Sequence, residues 1–214
     1  MVFGKIEYLN LLPFHIFMKR FTKSNQQAMS MEYKKGVPAD VNAKFLSRRV
    51  DAAFISSIHA KNYLHVELGI IAKKEVLSVL VIPNDENTND AESATSNVLA
   101  NVLGIKGEVL IGDKALKYYL SSALHVDLAK EWNTRYNSPF VFALLCYHNQ
   151  AKLYNKIQKN FLKQKIKIPQ YILNQASLRT KISKKDILMY LKYISYDLDK
   201  KAKLGLKKFY NKVR

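Results

Sequence analysis

Residues 4–13 are Gly4-Lys5-Ile6-Glu7-Tyr8-Leu9-Asn10-Leu11-Leu12-Pro13, an apolar strand that ends at a polar Asn shortly before a proline-led helix. A similar arrangement occurs at Phe54-Ile55-Ser56-Ser57-Ile58, where a buried strand runs into two hydroxyls, and again at Ser93-Ala94-Thr95-Ser96 before a helical run. Exposed N–H groups at helix starts favour negative charge. If the three polar ends converge on one cleft, they predict a site for an anionic small molecule.

Strands and helices alternate in the first part of the chain. Residues 3–8 and 50–55 are predicted to be strands, and residues 13–22 and 40–48 are predicted to be helices. This alternation predicts an α/β fold with a parallel sheet covered on both faces, in which ligands bind beyond the carboxyl ends of the strands.

The later part of the chain indicates a second lobe. The apolar run 76–82 is long enough to leave one lobe and enter another, and the apolar strand 140–147 is able to return. From residue 150 onward the pattern is nearly all helical. We therefore predict two lobes joined by two hinge strands, with a helical C-terminal region. Lobe 1 is predicted to comprise residues 1–80 and 143–214, and lobe 2 residues 81–142.

The positive charge is concentrated in the C-terminal part of the chain. The 214 residues carry a formal net charge of +18 and are 48% hydrophobic, which excludes a disordered protein. Residues 152–214 contain 18 Lys and Arg but 3 Asp and Glu. The lysines alternate with apolar residues at helical spacing, among them Ile194 and Leu204. We interpret this basic tail as solvated helix surface rather than a nucleic-acid site, with weak nucleic-acid or membrane-surface binding as the alternatives.

Several side chains are predicted to serve the core alone. Cys146, the single cysteine, lies within an apolar run, as does Phe140, and Trp132 fits an apolar helix position. No run approaches the roughly 18 apolar residues needed to cross a bilayer, and polar residues interrupt the amino-terminal segment. We therefore expect a cytoplasmic protein without a membrane segment. The sequence leaves the oligomeric state open.

Most catalytic constellations are missing from the sequence. The five histidines lack a close set of partner ligands, and no Walker, Rossmann or Gly-x-Ser-x-Gly pattern occurs. We therefore expect no metal and no cofactor, and a site that works by binding and positioning its ligand.

Two side chains are candidates for catalysis. Asn10 carries an amide that can donate to a carboxylate or to a departing hydroxyl; its alternative role is a turn before Pro13. Ser78 interrupts the apolar run 76–82, where strand propensity favours valine. A buried hydroxyl needs a partner, so Ser78 is expected to bond either a substrate or a neighbouring strand carbonyl.

Further small residues are candidates for substrate binding. One of Ser56 and Ser57 is predicted to cap the following helix, and the other is able to take a carboxylate. The residues predicted to contact the substrate from the second lobe are Ala94, Thr95 and Ser96. Ser96 is equally a candidate N-cap. Gly112 is expected either to let the backbone approach the ligand or to make a tight turn.

A larger set of motifs resembles one protein family. The motifs are Tyr8-Leu9-Asn10 with Pro13, Gly36-Val37-Pro38 with Asn42, Asp51-Ala52-Ala53-Phe54-Ile55-Ser56-Ser57-Ile58, Leu77-Ser78-Val79, Ser93-Ala94-Thr95-Ser96, Ile111-Gly112-Asp113-Lys114-Ala115-Leu116, Asp127-Leu128-Ala129-Lys130-Glu131-Trp132 and Pro139-Phe140-Val141-Phe142-Ala143. In their order along the chain they resemble the chorismate dehydratases, the first enzymes of the futalosine route to menaquinone.

The resemblance implies a type II periplasmic-binding-protein-like fold and a lyase that removes water from chorismate to give 3-[(1-carboxyvinyl)oxy]benzoate. It further implies that the substrate's own enolpyruvyl carboxylate takes the ring proton while Asn10 and Ser78 orient it. Glu7 is the alternative base, although its strand is expected to direct it away from the cleft. The resemblance also favours a substrate contact for Ser78 and for one of Ser56 and Ser57.

The chain departs from the family between Pro83 and Ser93, where relatives usually have a longer segment with another strand. We therefore expect a trimmed second lobe. Two further functions remain open: a non-catalytic small-carboxylate binding protein of the same fold, and the related later enzyme of the route, which relies on a histidine. His59 is the one histidine near the three polar ends.

Overall fold

The computed structural model describes residues 1–24, 30–121 and 124–213. Within these ranges the chain forms nine strands, which are Val2–Lys5 (β1), Glu32–Lys35 (β2), Ala52–Ser56 (β3), His65–Ala72 (β4), Val79–Ile82 (β5), Glu108–Ile111 (β6), Val126–Asp127 (β7), Phe140–Tyr147 (β8) and Ile194–Asp197 (β9). A six-stranded sheet has the order β2-β1-β3-β8-β4-β9, and a three-stranded sheet has the order β6-β5-β7.

Helices cover the sheets. They are Leu12–Ser24 (α1), Pro38–Leu46 (α2), Ser57–Ala60 (α3), Ala94–Leu103 (α4), Gly112–Ser121 (α5), Leu128–Tyr136 (α6), Ala151–Leu162 (α7), Gln170–Thr180 (α8), Lys184–Tyr190 (α9) and Lys200–Lys212 (α10). Short 3-10 helices occupy Leu9–Leu11 and Leu191–Tyr193. In the part of the chain that the structure describes, no helix is both long enough and apolar enough to cross a membrane.

The larger sheet is mixed, and the prediction of a parallel sheet is wrong for three of its five strand pairings. β1 pairs in parallel with β2 and β3, as the alternation of strand and helix predicts for the first part of the chain. β8 is antiparallel to both β3 and β4, and β9 is antiparallel to β4. β8 enters the sheet after the chain has passed through the smaller sheet, and it therefore runs in the opposite direction.

Two connections join the sheets and divide the molecule into two lobes. The chain leaves the larger sheet after Ala72 and enters the smaller one at Val79; it leaves the smaller sheet after Asp127 and returns at Phe140. The lobe boundaries at residues 80/81 and 142/143 stay a prediction. Residues 25–29, 122, 123 and 214 of the predicted lobes lie outside the described residues.

The C-terminal region contains one strand that the helical pattern does not predict. β9 pairs with β4 through Ala72 and Ile194, and Ile194 is buried in this strand rather than in a helix. Leu204 is 65% exposed, so its predicted place on the apolar helix face is wrong. α10 buries Gly205 and Phe209 instead. A Cβ atom at Gly205 would lie 2.1 Å from the carbonyl oxygen of Pro139, so only glycine permits this close approach of α10.

The core confirms the predicted packing residues. Trp132, Phe140 and Cys146 are each at most 1% exposed, and Trp132 packs edge-on against Phe140 with ring centroids 5.3 Å apart. Burial raises the pKa of the Cys146 thiol, which therefore remains an inert packing group. A second aromatic cluster joins α1 and α7 to the larger sheet. The ring centroid of Phe14 lies 4.9 Å from that of Phe54 and 5.3 Å from that of Phe161.

Candidate active site

A cavity of about 70 Å³ lies between the two lobes. Its polar lining comes from the ends of elements in both sheets. The polar and glycine positions are Tyr8, Asn10, Ser56, Ser78, Ser93, Ser96 and Gly112, and the apolar lining includes Ile6, Leu11, Phe54, Ile70, Val76, Val79, Ile111 and Phe142. The structure thus brings together the three polar ends that the sequence singles out. Neutral donors facing apolar walls suit a ligand with both a ring and anionic groups.

Asn10 presents an unpartnered acceptor at this cavity. It lies in the 3-10 helix Leu9–Leu11, where its backbone carbonyl accepts a 2.6 Å hydrogen bond from the Tyr196 hydroxyl. Its side-chain Oδ1 is buried and has no partner among the described residues. A turn-forming Asn would bond its own neighbouring backbone. Because a buried polar atom normally has a partner, Asn10 is available to hydrogen-bond a ligand.

Ser78 lies at the entrance to β5 and is 2% exposed. Its backbone carbonyl accepts a 2.8 Å hydrogen bond from the Gly112 N–H. Its hydroxyl is bonded to the hydroxyl of Tyr190, with an O···O distance of 2.8 Å. The partner of Ser78 within the protein is therefore a tyrosine, not the strand carbonyl considered as the alternative to a substrate.

Asp127 holds the turn that precedes Ser78. Its Oδ2 accepts hydrogen bonds from the Val76 and Leu77 N–H groups at 2.9 and 2.8 Å, while its Oδ1 caps the first turn of α6. Leu77 has φ 61°, a left-handed conformation that costs a non-glycine residue free energy. Burial raises the pKa of Asp127, and the backbone hydrogen bonds oppose that shift. The carboxyl group thus stabilises a strained turn that directs Ser78 into the cavity.

Ser56 is held by a side chain from α2. The amide Nδ2 of Asn42 donates to Ser56 Oγ at 2.8 Å, and the Ser56 N–H donates to Asn42 Oδ1 at 3.1 Å. Ser57 instead donates its hydroxyl to the Val141 carbonyl at 2.6 Å and does not line the cavity. Ser56 occupies the N-cap position of α3, but its side chain makes no capping hydrogen bond.

The second lobe contributes hydroxyls from the start of α4. Ser93, not Ser96, is the N-cap: its Oγ accepts a hydrogen bond from the Ser96 N–H at 3.2 Å. Both hydroxyls line the cavity and lie 2.8 Å apart. Thr95 lies outside the cavity because its Oγ1 accepts from the Ile58 N–H at 3.1 Å, which joins the lobes. Ala94 also lies outside it, in a separate groove.

Gly112 allows an aromatic ring to lie against the cavity. Its φ of 68° suits glycine, and a Cβ atom there would be 2.6 Å from the ring of Tyr8. The Tyr8 hydroxyl donates to the Glu92 carboxylate across the lobes. Burial, together with Glu92, raises the pKa of Tyr8, which therefore stays protonated at neutral pH. Asp113, the next residue, accepts a 2.9 Å hydrogen bond from the Leu9 N–H and so adds another contact between the lobes.

Glu7 and His59 lie outside the cavity. Glu7 forms ion pairs with Lys5 and Lys35 at 3.2 and 3.0 Å in a separate groove. Partial burial acts to raise its pKa, but the two lysines hold that pKa below its usual value, which makes Glu7 a weak base. His59 lies in the groove that contains Ala94. Over residues 1–24, 30–121 and 124–213, no group of His, Cys, Asp and Glu side chains could hold a metal ion.

Sequence comparisons identify the family. A family model described as menaquinone biosynthesis matches residues 1–107 and 100–214. A chorismate dehydratase of Campylobacter jejuni subsp. jejuni serotype O:23/36 (strain 81-176) is 47% identical over 213 residues, which are 98% of this chain and 96% of that protein. This chain belongs to the menaquinone biosynthesis family. The resemblance based on the ordered motifs is confirmed.

Solved structures show the fold of this family member. A protein of Archaeoglobus fulgidus superposes with a TM-score of 0.66 at 11% identity, covering 99% of this chain and 95% of that one. A Candida albicans protein described as having the generic periplasmic binding protein fold superposes with a TM-score of 0.52 at 12% identity, covering 99% and 90%. The two-lobed periplasmic-binding-protein-like prediction is confirmed.

Four residues at or behind this family member's site have no role predicted from the sequence. Tyr8, Asn42 and Ser93 lie within the ordered motifs, so the family resemblance contained a signal for them. Tyr190 ends a short helix whose pattern predicts packing alone. Its hydrogen bond to Ser78 spans 112 residues of sequence, and no local pattern reveals such a partner.

Proposed function

We propose that this chain is a chorismate dehydratase that removes water from chorismate to give 3-[(1-carboxyvinyl)oxy]benzoate in menaquinone biosynthesis. The observation that carries the proposal is the 47% identity, over 98% of this chain, to a relative named chorismate dehydratase. The meeting of Asn10, Ser56, Ser78 and Ser96 at one cavity supports the same conclusion, because these residues carry the family motifs.

In the proposed reaction, one ring C–H bond and the C–O bond to the ring hydroxyl break. The electron pair of the C–H bond stays in the ring and expels the hydroxyl, and the ring becomes aromatic while the enolpyruvyl ether is kept. The removed proton leaves with the hydroxyl as water. Aromatisation supplies the driving force, so the protein acts mainly by orientation, which can lower a barrier by about 7 to 11 kcal/mol.

The chemistry of the cavity lining supports a base supplied by the substrate. Among the described residues that line the cavity, Tyr8 is the single titratable side chain, and its raised pKa makes it a donor rather than a base. No carboxylate or imidazole is therefore available at the lining. The enolpyruvyl carboxylate of the substrate takes the ring proton and passes it to the departing hydroxyl.

Asn10 and Ser78 are the proposed catalytic residues. The free Oδ1 of Asn10 can accept from the ring hydroxyl, and the Ser78 hydroxyl can donate to the enolpyruvyl carboxylate and hold it beside the ring C–H bond. The hydroxyls of Ser56, Ser93 and Ser96 offer neutral donors to the second carboxylate. The substrate ring then packs against the apolar wall.

Binding requires the lobes to separate. The volume of about 70 Å³ is well below the ~300 Å³ at the lower end of ligand pockets, so the substrate does not fit the closed arrangement. Opening would break the inter-lobe hydrogen bonds Tyr8–Glu92, Leu9–Asp113 and Ile58–Thr95. Their re-formation around the substrate would exclude water from the reaction.

A turnover assay tests the proposed function. Purified protein is incubated with chorismate, and the benzoate product is followed by ultraviolet absorbance and identified by mass. We expect conversion that scales with protein concentration. Saturable binding of chorismate without product would contradict the proposal and favour a non-catalytic carboxylate-binding protein.

Location and other partners are proposed from the sequence. We expect a cytoplasmic protein, which fractionation of cells with marker enzymes for each compartment tests. We also expect the basic tail not to retain nucleic acid at moderate salt, since phosphate contacts release counterions and weaken steeply with ionic strength. Retention at about 0.2 M salt would contradict this expectation.

A further inference from the structure

Two tyrosines from the C-terminal region contact the two proposed catalytic residues. Tyr190, at the end of α9, is 1% exposed and places its hydroxyl 2.8 Å from Ser78 Oγ. Tyr196, in β9, donates to the backbone carbonyl of Asn10 at 2.6 Å. The segment after residue 184 thus reaches both residues from behind the cavity, although Tyr190 itself does not line it.

The number of donors and acceptors in the Tyr190–Ser78 pair determines which hydroxyl donates its hydrogen to the other. A serine hydroxyl has one hydrogen and two acceptor sites, and a tyrosine hydroxyl likewise has one hydrogen. Burial raises the pKa of Tyr190, so its hydroxyl keeps its proton at neutral pH. Among the described residues, the Ser78 hydroxyl is the one hydrogen-bond partner of the Tyr190 hydroxyl, so the buried Tyr190 hydrogen is donated to it.

When Tyr190 donates to Ser78, the hydrogen of Ser78 has no acceptor among the described side chains and carbonyls. The Ser78 hydrogen is therefore free to point into the cavity, since Ser78 is part of the cavity lining. The opposite arrangement would leave the Tyr190 hydrogen buried without an acceptor, which is unfavourable.

We propose that Tyr190 is a positioning residue that holds the Ser78 hydroxyl as a hydrogen-bond donor to the substrate carboxylate. Tyr190 makes no contact with the substrate and acts through Ser78 alone. This inference rests on the proposed function, because it assigns Ser78 a carboxylate to orient. It adds a group that the cavity lining does not reveal.

The Tyr190→Phe variant tests the inference. It removes one hydroxyl and keeps the buried ring, so we expect kcat to fall about tenfold, because misdirecting a donor costs less than the ~10² lost when a donor is deleted. The KM should change by less than about twofold, since the hydroxyls that bind the other carboxylate are intact. Tyr154→Phe is the matched control: Tyr154 is equally buried, and its hydroxyl contacts the Met1 sulfur at 3.3 Å, away from the cavity.

A double-mutant cycle separates positioning from general stability. In the Ser78→Ala background, we expect Tyr190→Phe to lower kcat by less than about twofold, because the group through which it acts is gone. A tenfold loss in both backgrounds would overturn the inference, as would a Tyr190→Phe variant with wild-type kcat. If Tyr190→Phe fails to fold, fluorotyrosine at position 190 keeps the ring and hydroxyl but strengthens the donor. An unchanged kcat would then overturn the inference.

The same experiments distinguish this inference from the proposed function. A wild-type protein that yields no benzoate from chorismate contradicts the function itself. A wild-type protein that makes product while Ser78→Ala keeps its full rate overturns the role of Tyr190 and leaves the function intact. Thermal midpoints measured for all variants show whether any loss of rate follows from unfolding.

Discussion

The cavity between the lobes and the outer face of α7 differ most in charge. Lys152, Lys156 and Lys159 of α7 and Lys163, which directly follows it, are exposed and line one groove. The cavity proposed to bind a doubly charged acid is lined by no Lys or Arg in the described part of the chain. The net positive charge of this protein therefore lies away from the proposed binding cavity. Under the proposed function, the hydroxyl donors of the cavity would bind the anion, and the lysines would contribute only a long-range electrostatic field.

A neutral lining has a chemical consequence. A lysine beside the substrate would have to be desolvated together with its anionic partner, and a fixed ion pair would stabilise the substrate carboxylate as much as the transition state. It would also lower the basicity of the enolpyruvyl carboxylate, which is the proposed base. In the proposed complex, a neutral donor such as Ser78 would orient that carboxylate with a smaller loss of its basicity.

The largest effects are expected inside the cavity. Asn10→Ala and Ser78→Ala should each lower kcat by about 10² or more, which is the usual contribution of an oriented polar contact at a reacting group. Asn10→Ala should leave the thermal midpoint nearly unchanged, because its Oδ1 has no partner in the described protein. Steady-state kinetics with chorismate measures both effects.

The matched control for these two variants lies on α7, outside the cavity. Asn155→Ala removes an exposed amide on α7 whose Nδ2 donates to the Ala151 carbonyl at 2.9 Å. It should keep the wild-type rate. If Asn10→Ala and Ser78→Ala also keep it, their catalytic assignment is wrong.

An intermediate effect is expected at Asn42, which supports the cavity from behind. Asn42→Ala removes both hydrogen bonds to Ser56 and leaves a buried N–H without its partner, so stability should fall by about 1–3 kcal/mol. With Ser56 no longer held, KM should rise roughly tenfold, which is about 1.4 kcal/mol of binding free energy. Thermal denaturation and steady-state kinetics measure the two changes.

Asn97→Ala controls for the loss of a structural amide. Asn97 also makes two hydrogen bonds, both to the backbone of Asp90, at 3.0 and 2.8 Å, and it does not line the cavity. The Asn97→Ala variant should be less stable than the wild type and have an unchanged KM. Equal KM values for the Asn42→Ala and Asn97→Ala variants would show that Ser56 needs no support.

The elements that the sequence predicts best are those whose cause is local. The strand predicted at 140–147 lies at those residues, because a continuous apolar run defines it. β9 has four residues and becomes a strand through its pairing with β4, more than 120 residues earlier in the chain. The order of apolar and polar residues in these four positions does not distinguish a strand from part of an amphipathic helix.

The candidate site follows the same rule. The positions of Asn10 and Ser78 at the cavity are predictable because each polar residue interrupts an apolar run, and that signal is contained in a few neighbouring residues. The roles of Ser57 and Thr95 depend on the Val141 carbonyl and the Ile58 N–H, which come from distant segments. A serine before a helix satisfies the capping pattern whether or not a distant carbonyl takes its hydrogen.

A small effect is expected from the charged face. Replacing Lys152, Lys156, Lys159 and Lys163 with Gln should leave kcat unchanged and raise KM less than about threefold at low salt, through a weaker field for the anionic substrate. The difference should vanish at about 0.5 M salt, where the screening length is only a few ångströms. Kinetics at two salt concentrations measures it. A fall in kcat at both concentrations would show that α7 acts on the site itself.

The smallest effect is expected at His59, which shares with α7 a position outside the cavity. His59 lies in the groove with Ala94, and no histidine lines the cavity in the described chain. His59→Ala should therefore keep kcat and KM within about twofold of the wild type, the change usual for substitutions away from the reacting groups. Near-total loss of turnover in a folded variant would contradict the neutral lining as the basis of the reaction. It would favour instead the histidine-dependent later enzyme of the same route, because a histidine able to act from that groove would have to enter the cavity when the lobes open.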